Sequence, residues 1–314
     1  MRTEHLEYLI EIADSGSITT TAEKFHISQP SISQSLSKLE EELQTKIFNR
    51  SRTGTYPTET GKLIIQQARE IILQVKKLEE ISNTQSPAVT GSLTVSVVPS
   101  FSNSILPSIL SVYKNQFPDV QIKVIENGSI KVIEDVAAGN VDFGLAAFFE
   151  TVEFDNNLVF EPLLVGNAKA CVGNSSEFAQ RREITLQEIV RYPIITFSQE
   201  YKMNSFILNF LRQYGKPNLL FTAGNSAAAK VFISQGLALG FFSDISLKRD
   251  PYVLSGEIIP LNIQNPQTKS YFGVIYRKDT DFSVSSKEFL KELRIQAKKF
   301  IRHFNLADPN STRV

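Results

Sequence analysis

Residues 16–50 read GSITTTAEKFHISQPSISQSLSKLEEELQTKIFNR, and this stretch decides the fold of the N-terminal part. Ser17 is placed to cap a short helix, ITTTAEKF, with Ile18, Ala22 and Phe25 turned inward. The β-branched run Thr19–Thr21 makes that helix weak in isolation, so tertiary packing has to hold it. Ser28 then caps a second helix whose Pro30 falls in the first turn, where a missing N–H costs nothing. Ile32, Leu36, Leu39 and Leu43 follow at spacings of 4, 3 and 4, which is one buried helical face. Upstream, Leu6, Leu9, Ile10 and Ala13 mark a first helix that Gly16 ends. Downstream, IFNRSRTGTYPT (47–58) reads as a hairpin turning at Thr53-Gly54.

If Ile32, Leu36 and Leu39 face inward, a 100° step per residue turns Pro30, Gln34 and Ser37 to the far side, flanked by Ser31, Ser33 and Lys38. Such short polar groups on one helix suit base edges in a major groove. Gln29 and Ser31 sit near the helix start, within reach of phosphate or bases. Arg50 and Arg52 in the hairpin suit phosphate or minor-groove contact. Residues 1–58 nevertheless carry six basic against eight acidic residues, a net charge of −2. Tight DNA binding by one copy is therefore not expected, and affinity has to come from assembly.

From 59 to about 83 runs one long amphipathic helix. Its Ile64, Ile71, Val75 and Leu78 form a stripe that calls for a partner helix from a second chain. SNTQSPAVTG (82–91) is a hinge by composition. From 92 onward strands and helices alternate, which argues for α/β units with mainly parallel strands. About 220 residues of this pattern exceed one small sheet, so two lobes around a cleft are expected. The strand SLTVSVV ends at Pro99, Ser100, Phe101, Ser102 and Asn103, where a helix begins with free N–H groups suited to an anion. Asn225 and Ser226 open a later helix.

The whole chain has 314 residues, 33 basic and 33 acidic, so overall charge says nothing about polyanionic partners. With 42% hydrophobic and 21% charged residues it is an ordinary globular composition, not a disordered one. One cysteine, Cys171, excludes an internal disulfide and paired-cysteine metal motifs, and its strand context predicts a buried small hydrophobe. The three histidines are scattered, so no metal site or cofactor is expected. No enzyme signature occurs, so an enzyme is not expected. The first residues do not form a signal peptide and no apolar run reaches membrane-spanning length, which points to the cytoplasm.

GSITTTAEKFHISQPSISQSLSKLEEELQTKIFNR, PTETGKLII, GSLTVSVVPS, NQFPDVQIKVIENGS and AAGNVDFGLAAF together resemble the LysR-type transcriptional regulators over the whole chain. One departure is Gln34, where many members carry arginine. The resemblance implies an α/β chain: a winged helix-turn-helix over 1–58, a linker and dimerisation helix with hinge over 59–91, and an effector domain over 92–304. That domain would resemble periplasmic solute-binding proteins, with lobe I at about 92–164 and 271–304, lobe II at about 165–270, and a tail at 305–314. It implies effector contacts at Ser100 and Ser102, at Ser129 after Asn127-Gly128, and at Thr196-Phe197; Phe101, Asn103, Asn225 and Ser226 join them by position. No lysine or arginine lies in those stretches, so a small anion or polar metabolite would be held by amides and hydroxyls, not by an ion pair. The implied partners are double-stranded operator DNA, a small-molecule effector, a second or further copies in a homodimer or homotetramer, and RNA polymerase. The competing reading is a solute-binding or enzymatic protein of the same two-lobed fold.

Overall fold

The computed structural model describes residues 2–51, 54–82, 89–148, 154–197, 202–264 and 269–306. The chain divides into two compact units, the first of residues 1–88 with 138–140 and the second of the rest. In the first, α1 (Thr3–Ser15) ends at Gly16, whose φ of 66° favours glycine. Ser17 Oγ accepts from Thr20 N to start α2 (Ile18–Lys24), and Ser28 Oγ accepts from Ser31 N to start α3 (Gln29–Glu42). These caps satisfy backbone donors that each helix start leaves open. A hairpin, β1 (Phe48–Ser51) with β2 (Gly54–Pro57), leads into α4 (Glu59–Ser82).

The core of this unit gathers Leu6, Leu9, Ile12, Ile32, Leu36 and Leu39, joined by Ile47 and Phe48 and by Ile65 and Ala68 of α4. Two expectations change. Leu43 is the C-cap of α3 and is exposed, because the helix ends before it can turn inward. Ile64 packs against this same core, so it belongs to the chain's own fold and not to the outward stripe, where Ile71 and Leu78 are exposed. Gly61 sits so close to the wing that a Cβ there would lie 2.0 Å from the Ile47 carbonyl oxygen. Glu40, within the acidic run of α3, points inward: its Oε1 accepts from Ile47 N at 2.8 Å and Phe48 N at 3.1 Å. Glu11 pairs with Lys24 and Asp14 with Arg69. Glu40, Glu11 and Asp14, three of the acids behind the net charge of −2, are thus engaged within the unit.

The second unit opens with β3 (Gly91–Val97), α5 (Pro99–Ser102), α6 (Leu106–Gln116), β4 (Val120–Glu126), α7 (Ser129–Ala137) and β5 (Phe143–Phe148). Next come β6 (Leu158–Gly173), β7 (Glu183–Ile184), α8 (Leu186–Arg191), β8 (Ile194–Phe197), α9 (Lys202–Arg212), β9 (Leu219–Ala223) and α10 (Ser226–Ser234). β10 (Gly240–Ser243), α11 (Asp244–Leu247), α12 (Pro251–Leu254), β11 (Ile258–Ile263), β12 (Lys269–Arg277) and α13 (Val284–Phe304) complete it.

One lobe is built on the strand order β4-β3-β5-β12-β6. The other uses the far half of β6, which pairs with β10 and β11, plus the parallel pair β8–β9. The sheets are mixed. β3 runs parallel to β4 and β5, whereas β12 runs antiparallel to β5 and β6, and β10 and β11 run antiparallel to β6. The expected mainly parallel sheet fails because β6 and β12 pass from lobe to lobe in opposite directions. β6 is also one strand of 16 residues, where LVFEPLLVG and KACVG suggest two. Asn167 does not break it: it pairs with Lys269, and its N–H is satisfied by Asp244 Oδ1 at 2.9 Å.

Phe101, Tyr113, Phe143, Phe272 and Phe289 fill the first lobe's core, and Tyr113 Oη donates to Ser285 O at 2.9 Å. Ile189, Ile194, Leu211 and Leu239 lie in one core of the second lobe, and Cys171 with Ala229 and Ile233 in another. Burial pushes the Cys171 thiol up, away from the thiolate, and makes it a packing residue.

Candidate functional site

On α3 the inward positions Ile32, Leu36 and Leu39 leave Gln29, Pro30, Ser31, Gln34, Ser37 and Lys38 exposed and Ser33 half-buried. Arg50, exposed on β1, donates from Nη1 to Ser33 Oγ at 2.9 Å. Ser31 Oγ lies 2.7 Å from Ser28 Oγ at the cap. The result is a polar ridge of short side chains with a guanidinium beside it, a shape and chemistry suited to nucleic acid. Arg52 lies outside the described residues.

In the second unit a cavity of about 70 Å³ opens between the lobes. The first lobe contributes Ser100, Asn103, Ser129 and Ala147; the second contributes Ser226, Lys230 and Phe242. Ser243, Ser246 and Ser270 line it where the strands cross. There Ser243 Oγ and Ser270 Oγ are 2.7 Å apart, and Ser246 Oγ donates to Ser243 O at 2.7 Å. Ser129 is buried at the start of α7, and its Oγ donates to Ala147 O at 3.3 Å.

Of the nine expected effector contacts, Ser100, Asn103, Ser129 and Ser226 come together on this cavity. The other five are not part of its lining. Phe101 is fully buried, with its ring 5.4 Å from that of Phe272. Ser102 is half-buried on α5. Thr196 is buried with its hydroxyl 3.1 Å from that of Thr222, and Phe197 pairs with Ala223 across β8–β9. Asn225 is the cap of α10, accepting from Ala228 N at 2.8 Å, and the next residue, Ser226, reaches the cavity instead.

Of the N–H groups expected to be free where this helix begins, at residues 99–103, three are committed. Phe101 N and Ser102 N donate to Val98 O, and Asn103 N to Pro99 O.

Lys230 is the residue the sequence reasoning misses. It stands one turn after Ser226 on α10, so the i, i+4 spacing that turns both to one face is its signal. Its side chain is paired with Asp250 and its Nζ lies 5.1 Å from the Phe242 ring centroid. An ion pair therefore borders the cavity, outside the five stretches in which the sequence places the effector contacts. Among the described residues, no cluster of three or more His, Cys, Asp or Glu could hold a metal ion, and no helix is long and apolar enough to cross a membrane.

A winged helix-turn-helix followed by a two-lobed domain with an inter-lobe cavity defines a one-component regulator: DNA reader and ligand domain in one chain. Residues 3–62 match the family described as "Bacterial regulatory helix-turn-helix protein, lysR family", and residues 87–298 match "LysR substrate binding domain". The chain belongs to the LysR family of transcriptional regulators. It is 26% identical over 249 residues to the HTH-type transcriptional regulator CysB of Haemophilus influenzae, covering 78% of this chain and 76% of that one. Its fold is similar to that of full-length OxyR from Pseudomonas aeruginosa, with a TM-score of 0.71 at 17% identity over 96% of this chain and 95% of that one. It is similar also to full-length CbnR in complex with its target DNA, with a TM-score of 0.63 at 18% identity over 94% and 100%.

Proposed function

We propose that this regulator reads operator DNA with Gln29, Ser33, Gln34 and Lys38 of α3, steadied by Arg50 on phosphate, and works as a homo-oligomer joined through the exposed face of α4. A small effector in the inter-lobe cavity sets the angle between the DNA-binding heads of the assembly. The observation that carries this reading is the shared lining of the cavity. Ser100 and Ser129 belong to one lobe and Ser226 and Lys230 to the other, so a ligand there touches both. Only contacts that differ between open and closed lobes shift their equilibrium, and a tenfold difference in affinity supplies about 1.4 kcal/mol.

The test is gel retardation of the DNA upstream of the chain's own gene, with the full chain and with residues 1–58 removed. Retardation that survives the deletion overturns the DNA reading. A parallel thermal-shift screen against small metabolites tests the effector, because a ligand that binds only the folded form raises the melting temperature by mass action.

A further inference from the structure

α11 is four residues long, yet it enters both lobes of the second unit. Ile245 is fully buried in the first lobe's core, and Leu247, two residues on, is buried with Cys171 and Ile233 in the second lobe's. The helix lies on the point where β6 crosses: Asp244 Oδ1 accepts from Asn167 N, and a Cβ on Gly166 would collide with Asp244 and Ile245. By chain order this stretch belongs to the second lobe, between β10 and β11. The two residues after α11 nevertheless reach back to the first lobe. Arg249 Nη1 donates to Ser108 Oγ at 2.7 Å on the first turn of α6, with its guanidinium 5.9 Å from the Phe300 ring centroid. Lys248 Nζ lies 5.6 Å from the ring centroid of Phe304, one turn further along α13. Neither cation pairs with a carboxylate among the described residues, so these first-lobe groups are what hold them.

We propose that Ile245, Lys248 and Arg249 form a clasp, a third connection between the lobes beside the crossing strands β6 and β12, which holds the lobes at their present angle and so sets the resting state of the regulator. The reason is mechanical. A hinge of two extended strands is soft, because changes of φ and ψ at a few residues absorb a rotation. Such a rotation carries residues 248 and 249 away from α6 and α13. The Ser108 hydrogen bond and both cation–ring contacts then lengthen together, and each resists the motion. The clasp also adjoins the cavity, because Ser243 and Ser246 line it at the start and middle of the same helix. A group that displaces those hydroxyls displaces Ile245 and Arg249 with them, since one short helix carries all four. The clasp stands on these contacts alone; its bearing on DNA rests on the proposed function.

The experiment is amide hydrogen exchange on the full-length chain with no ligand added, read at the crossing, residues 164–168 and 270–273, with β3 as the reference. Arg249→Ala is expected to speed exchange at the crossing about fivefold, which is about 1 kcal/mol at 1.4 kcal/mol per tenfold, while β3 stays within about twofold. Arg249→Lys keeps a cation over Phe300 and a donor towards Ser108, and should recover at least half of the effect. Ser108→Ala should give part of it, and Arg249→Ala added to Ser108→Ala should then cost less than it does alone, because the two share one contact. Exchange at the crossing within about twofold of wild type in Arg249→Ala overturns the clasp. Equal gains at the crossing and in β3 report a loss of overall stability and overturn it as well. Control is read separately, as the mobility of retarded complexes on circularly permuted fragments of the upstream DNA. Wild type and Arg249→Ala are expected to differ there with no metabolite present. Faster exchange with unchanged mobility overturns the part of the clasp in control. No retarded complex with wild type overturns the DNA reading instead, and the exchange result still decides the clasp.

Discussion

Arg50 Nη1 and Ser33 Oγ, 17 residues apart in sequence, meet at 2.9 Å and tie the wing to α3. The two sides of that contact should fail differently. Gln34→Ala on the exposed face of α3 should relax base preference, costing about 1–3 kcal/mol at a contacted base pair. Arg50→Ala should weaken all sequences alike and reduce the salt slope of binding by about one. Anisotropy titrations at several salt concentrations separate the two; wild-type affinity and slope in both variants would remove α3 and the wing from the interface.

Glu40 holds the wing to α3 through two backbone N–H groups. Glu40→Ala leaves both donors without their acceptor and should cost about 1–3 kcal/mol of stability, whereas Glu40→Gln, which keeps an oxygen, should cost less. Glu41→Ala, one residue on and exposed, should stay within about 0.5 kcal/mol of wild type. Urea unfolding of the three variants checks the order.

α4 separates two apolar roles by face. Ile71→Asp places a charge on an exposed position and should leave the fold intact while dissociating the assembly. Ile65→Asp buries the charge in the N-terminal core and should unfold that unit. Light scattering combined with circular dichroism distinguishes these outcomes, and an unchanged oligomer mass for a folded Ile71→Asp variant would exclude this face as the seam.

At α8 the Thr185 backbone N–H first, then the Arg181 guanidinium, hold the Glu188 carboxyl down at about 2. The folded value lies below the ordinary one of 4.5, so the stabilisation is complete above about pH 4.5 and disappears as pH falls towards 2. The group is about one-third exposed, so solvent screening keeps the effect small, at most about 1 kcal/mol. Glu188→Gln should therefore show a gap in urea midpoint at pH 6 that narrows at pH 3. A gap independent of pH would mean that the cap works without its charge.

Local devices are the ones legible in a sequence. Ser17 and Ser28 cap their helices because a cap involves residues only two or three apart. The wing and the buried face of α3 follow from the same short-range rules. Legibility fails where the partner is distant. The spacing of Ile64, Ile71, Val75 and Leu78 fixes a stripe but not which of its members meets the chain's own core. The LEEEL run reads as surface charge, yet Glu40 is committed to Ile47 and Phe48, whose position depends on the turn after α3. Lys230 sits in an alanine-rich helix, and its counter-ion lies 20 residues on, across a turn that only the folded lobe brings back. The amides of Phe101, Ser102 and Asn103 are committed because that helix closes after one turn, a length no residue in it announces.

β12 enters the first lobe's sheet between β5 and β6, the last strand made and a central one. Until residues 269–277 emerge from the ribosome, β5 is an unpaired edge beside a finished β3, and half of β6 is another. Unpaired edges recruit foreign strands. Synthesis of this regulator therefore passes through a long stretch in which the second lobe can already be folding while the first stays split. A truncation before Arg277 should give inclusion bodies instead of a smaller soluble domain. Loss of the last residues after Leu306, beyond the end of α13, should leave solubility unchanged.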